Sequence, residues 1–174
     1  MSPRIIPASI AIRFSHVTPH NKELFENDFH QCVQPHIDPM REWIGMQEAR
    51  GHIDESEKSM MLLMAELFKK MERIEQRILG NDPDGSIPFE HQTSLFGLSY
   101  EHLQFHDELL SVNESYYAKI FIPVFPQHPI SFFFEALDGR LGAISLMHVN
   151  DRGTWDRYTM GRERALLSEL RGAQ

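Results

Sequence analysis

From Met60 to Ile78 the apolar residues Met60, Met64, Leu67, Met71, Ile74 and Ile78 follow one another at alternating steps of four and three. That spacing is the heptad repeat of a coiled coil and predicts a helix that associates with further copies of itself. Met64, Met71 and Ile78 take position a, Met60, Leu67 and Ile74 take position d, and Met61, Leu63 and Phe68 widen the stripe in its N-terminal half. Ile74 at d, with Ile78 the one β-branched residue at a, leans toward three or four strands rather than two. Methionine packs permissively and adapts to either number of strands. The same period also suits an amphipathic helix folded onto its own domain, and periodicity alone leaves both readings open.

The pattern on either side sets the boundaries. Asp54 and Glu57 have capping-box spacing and start the helix, and Gly80-Asn81-Asp82-Pro83 stops it. From Asp54 to Leu79 it would run about 39 Å at 1.5 Å per residue, long enough for a projecting arm. Upstream, Ile5 to Phe14 alternates in part and predicts a strand. Thr18-Pro19 then predicts the cap and first turn of a helix toward Gln34, and Asp38-Pro39 starts another that Gly51 ends. Beyond Gly80 the period shortens. Phe89 to Tyr100, Tyr116 to Phe125, Pro129 to Leu137 and Leu141 to Val149 are short runs rich in Phe, Ile, Val and Tyr, and Asp138-Gly139 is a hairpin signal. Asn150 to Gly153 reads as a loop. Arg157 to Arg171 reads as a helix with Leu166, Leu167 and Leu170 on one face and Gly172 at its cap, plugging or flanking a barrel. The expected class is α+β: residues 1–82 as a strand with a helical, coiled-coil oligomerisation region, and 83–174 as an antiparallel β-barrel domain.

Composition narrows the function classes. With 174 residues the chain suits one domain plus an accessory element. A formal net charge of -8 argues against nucleic acid and anionic membrane as partners. No apolar stretch approaches the roughly 20 residues of a membrane-spanning helix. The single cysteine, Cys32, cannot form an internal disulfide, and the N-terminal run has no secretory pattern. A cytoplasmic protein without membrane insertion is the expectation.

Taken in order, Gln92-Thr93-Ser94-Leu95-Phe96-Gly97-Leu98, two β runs separated by a proline turn, a hairpin and a terminal helix resemble the PilZ domain, over Ile87 to Leu170. The resemblance implies a six-stranded β-barrel. It also implies a site for the bacterial messenger cyclic di-GMP, built from an Arg-x-x-x-Arg motif and an Asp/Asn-x-Ser-x-x-Gly motif. Ser94 and Gly97 match the second motif, whereas Gln92 replaces its Asp or Asn, and the extra methylene moves the polar group about 1.5 Å. Arg73 and Arg77 spell the first motif as candidate phosphate contacts. They fall at c and g of the heptad helix, where the alternative role is to solvate the coil and pair with Glu72, Glu75 or a neighbouring chain. The resemblance therefore implies an atypical PilZ-like adaptor with a degraded nucleotide site, similar to members from plant-pathogenic bacteria whose long helices tetramerise the barrel. Such members act through protein partners in motility, pilus function or virulence. A working cyclic di-GMP receptor is the alternative, with the dinucleotide as its one ligand.

Other chemistry is weaker. His16 with His20 and His102 with His106 have spacing that could converge on a metal, the second pair near Asp107 and Glu108. The first straddles the Thr18-Pro19 helix start and the second reads as a polar strand face. A Gly-x-Ser-x-Gly elbow, Walker loop, dinucleotide fingerprint and His-Glu-x-x-His helix are all missing, so neither catalysis nor a metal is expected. Cys32 is expected as a buried small residue. Tyr158 and Phe132 to Phe134 are expected in the core. Trp155 reads either as core or as an exposed anchor in a Gly-flanked loop. Arg152, Arg157, Arg162 and Arg164, interleaved with Asp151, Asp156 and Glu163, form either a solvated helix start or a phosphate-facing patch.

Overall fold

The computed structural model describes residues 4–32, 39–78, 87–124 and 129–172, with the backbone alone at Pro39, Arg73, Gln76 and Arg77. The chain divides into two compact units, one of residues 1–33 and 89–174, the other of residues 34–88. The first strand and first helix thus belong with the later strands, rather than on the other side of a single boundary near residue 82.

Seven β segments make the first unit: β1 (Ile6–Pro7), β2 (Ala11–His16), β3 (His91–Leu98), β4 (His102–Phe105), β5 (Ser115–Phe121), β6 (Pro129–Ala136) and β7 (Leu141–Met147). Their order is β1-β3-β2-β5-β6-β7-β4, and β4 pairs back onto β3. β1 and β2 lie end to end along one edge of β3, Ile6 opposite Leu98 and Ala11 opposite Ser94. The Ala8 amide donates to the Phe96 carbonyl and the Leu95 amide to that of Ile10, so the two segments act as one bulged strand. The result is a closed six-stranded antiparallel barrel, which the segment Ile5 to Phe14 completes. Among the described residues closure leaves no long unpaired edge.

Alternation fills the interior. Ile12 and Phe14, Leu95, Leu103 and Phe105, Ala118 and Ile120, and Ile130, Phe132 and Phe134 point inward and are buried. Phe14 lies 5.0 Å from Phe105 and Tyr116 lies 5.2 Å from Phe134 between ring centroids. The run expected to reach Tyr100 stops at Leu98, because the Ser99 hydroxyl accepts the amides of Glu101 and His102 and reverses the chain into β4. At the Asp138-Gly139 hairpin the Asp138 carboxylate accepts the amides of Arg140 and Leu141, at 2.7 and 2.8 Å.

Among the described residues two helices complete this unit. The helix α1 (Lys22–Gln31) begins one turn later than Thr18-Pro19 suggests. Asn21 bonds backward, accepting from the Thr18 amide and donating to the His16 carbonyl, so residues 18–21 form a separate turn. The helix α2 of this unit's C-terminus, Val149–Gly172, also departs from expectation by starting at Val149 instead of Arg157. Trp155 is the reason. It is wholly buried, 5.7 Å from the Phe132 ring, and its indole N–H donates to the Ser99 carbonyl at 2.9 Å. Burying a tryptophan offsets the roughly 1 kcal/mol that Gly153 costs a helix interior. Trp155 is therefore core and not a loop anchor.

The second unit is a pair of helices, α3 (Pro39–Ala49) and α4 (Glu55–Ile78). Gly51, at φ 71°, ends α3: its amide bonds the Glu48 carbonyl while the His52 amide bonds that of Gln47, a Schellman closure. Asp54 and Glu57 form the expected reciprocal capping box, at 2.8 and 3.0 Å. Arg41–Glu66 and Lys58–Glu48 ion pairs, at 2.7 and 2.6 Å, join the helices beside buried Ile44 and Ala65. Asp38 and Gly80 to Pro83 lie outside the described residues.

Candidate functional site

On β3, Gln92, Ser94 and Phe96 face outward while Thr93 and Leu95 share the opposite face with the core. Gln92 is exposed and Ser94 half-buried. Their partners on β2 are Arg13 and Ala11. The Arg13 guanidinium lies 5.5 Å over the Phe89 ring, so a cation and an aromatic face flank Gln92. Arg13 escaped the sequence reading because only the register of β2 on β3 makes it a neighbour. Gly97 has a structural duty: a Cβ there would stand 2.5 Å from the Ile5 side chain and 2.7 Å from the Ile6 carbonyl oxygen. Its identity follows from the approach of β1. Arg73 and Arg77 belong to the helical unit, on α4, and their side chains are outside the described residues.

The six heptad residues lie on one face of α4. Met60, Met64, Leu67, Met71, Ile74 and Ile78 are between 51 % and 80 % exposed, and Leu63 and Phe68 beside them are exposed as well. α3 packs on the other side, through Lys58, Ala65 and Glu66. Within the helical unit the stripe is thus turned away from its neighbour helix. Near its end, Met71, Ile74, Glu75 and Ile78 line an open hollow of about 260 Å³.

The remaining candidates disperse. Arg152 lies within 4.0 Å of Glu101 and 3.9 Å of Asp156, Arg162 donates to the Pro7 carbonyl at 3.0 Å, and Glu163 pairs with Arg4 at 2.9 Å. Arg152 and Arg162 thus help to fasten the C-terminal helix. His16 pairs with Glu114 at 2.9 Å, His102 lies beside the Ser99 hydroxyl, and His106 packs edge-on to Phe96. Among the described residues, no three His, Cys, Asp or Glu side chains come together as a metal site. Cys32 is exposed rather than buried, because it follows the last turn of α1, where the Ser131 hydroxyl reaches its sulfur at 3.4 Å. Among the described residues no helix is long and apolar enough to cross a membrane.

One polar cluster escaped the sequence reading. Asp28 of α1 accepts from the Tyr117 hydroxyl and lies 2.7 Å from the Lys119 ammonium, beneath a helix that also buries Phe25 and Phe29. Burial, and then the bond to Asp28, push the Tyr117 phenol far above its ordinary range, so it stays a donor. The cluster clamps α1 to the outer face of β5.

Comparison of the chain with protein-family models, with curated proteins and with solved structures finds no match.

Proposed function

We propose that this protein is a non-enzymatic, PilZ-like signalling adaptor of the cytoplasm. Its long helix gathers several barrels, as a tetramer, and presents their surfaces to a protein partner in bacterial motility, pilus function or virulence. The observation that carries the reading is the exposed heptad face of α4, opposite the side that α3 covers. An apolar stripe of that length exposed in a single chain favours burial against copies of itself. The closed barrel with its terminal helix supports the PilZ likeness. A degraded dinucleotide site is consistent with Gln92 in place of an acid or asparagine, and with the structural requirement for Gly97. Linked copies raise the effective concentration of each further contact, which is what an adaptor gains from assembly.

Sedimentation of the full chain tests the assembly: the native protein is expected as a multimer, and Leu67→Asp with Ile74→Asp as a single 20.3 kDa chain. Equal masses for the two would refute it. Calorimetric titration with cyclic di-GMP separates adaptor from receptor. The expectation is no saturable heat; micromolar binding lost on Ser94→Ala or on replacement of Arg73 and Arg77 would establish the receptor instead.

A further inference from the structure

Three of the six heptad positions are methionines, Met60, Met64 and Met71, and all three sulfur-bearing side chains are more than half exposed in the single chain. A coil core needs no thioether, since leucine fills the same positions with better-defined rotamers. What methionine adds is reactivity. We propose that assembly through α4 is redox-controlled: oxidation of Met60, Met64 and Met71 to sulfoxides holds the chain apart, and sulfoxide reduction lets it reassemble. This inference rests on the assembly reading above and concerns how that interface is regulated.

The oxidant is a peroxide. One oxygen of hydrogen peroxide passes to the methionine sulfur as the O–O bond breaks; the sulfur loses two electrons and water leaves. The reaction takes place on the dissociated chain, where the sulfurs face solvent, so oxidation drains the assembled pool by mass action. Each sulfoxide carries a strongly polar oxygen that an a or d position gives no partner, and burying such a group unpaired opposes association. Met60, Met64 and Met71 span three consecutive turns of the seam, so every neighbouring helix meets the change repeatedly.

The test uses the full chain and its Met60→Leu, Met64→Leu, Met71→Leu variant, in which a near-isosteric swap keeps the seam and removes the oxidisable sulfur. Both are sedimented before and after hydrogen peroxide, with peptide mass mapping of each methionine. The native chain is expected to fall from multimer to single copy once the three sulfoxides form, and to recover after treatment with both stereospecific methionine sulfoxide reductases and a dithiol, which gives two electrons and two protons per sulfoxide, becomes a disulfide and releases the oxygen as water. The leucine variant is expected to stay assembled, although it retains Cys32, Met40, Met46, Met61, Met147 and Met160. A native multimer that persists, whether its sulfurs resist peroxide or its sulfoxides are tolerated, overturns the inference. So does equal dissociation of the leucine variant. A native chain already single before peroxide overturns the assembly reading instead, and this inference with it.

Discussion

Lys119 points outward from a barrel strand, where a lysine ordinarily meets water, yet it is 7 % exposed. Asp28 compensates the burial from α1, and Tyr117 donates to the same carboxylate. Removing one member leaves the other charged and unpaired under the helix, the costly way to break a buried pair. Lys119→Met is therefore expected to destabilise the fold by about 3 kcal/mol in denaturant unfolding. Adding Asp28→Leu to it should recover most of that loss. Tyr117 makes a separate prediction. Its phenol has a folded pKa raised above the ordinary 10.0, so its contribution is complete below pH 10 and is lost as pH rises beyond that, where only the unfolded chain ionises. Thermal melts should fall steeply above pH 10, and Tyr117→Phe should flatten that fall.

At the scale of elements, the local signals that succeeded were those whose partners lie close in sequence. The Asp54–Glu57 capping box and the Gly51 closure needed only their own turn. Where tertiary contacts decide, the pattern misled: Asn150 to Gly153 has the composition of a loop, but buried Trp155 draws the helix back to Val149. β4 is four residues long and polar at His102 and Gln104; a polar strand face at His102 is legible in the sequence, but its place between β3 and β7 follows only from the pairing. The outward face of Gln92 and Ser94 follows from alternation, whereas Arg13 beside them needs the strand register. Gly97 illustrates the same limit, since a motif glycine and a packing glycine are identical in sequence. Gly97→Ala would force a Cβ against the Ile6 backbone. It should cost about 2 kcal/mol of stability without any ligand present, where a glycine kept only for ligand access would leave that stability unchanged.

At the scale of the whole molecule, the proposed assembly has a direction that charge can test. With the heptad set by Met64 at a and Leu67 at d, Lys70 falls at g and Glu75 at the following e. In a parallel, in-register coil a g residue faces the next e of its neighbour, so Lys70 meets Glu75 of the adjacent chain at every interface. Exposed pairs of this kind contribute about 0.5 kcal/mol each. Four of them in a tetramer amount to about 2 kcal/mol, or roughly thirtyfold in the assembly equilibrium. Lys70→Glu alone places like charges opposite each other and should shift the association midpoint to higher protein concentration. Glu75→Lys alone should do the same. Combined, the two substitutions restore opposite charges with the signs exchanged, and the midpoint should return close to the native value. An antiparallel coil sets g against g and e against e. There each single variant exchanges one like charge for another or sets an opposite charge into its row, so neither raises the repulsion and the double variant has no loss to recover. Sedimentation equilibrium of the four proteins across a concentration series separates the two arrangements, and raised salt should compress all the differences, since the pairs lie at the solvent-facing margin of the seam.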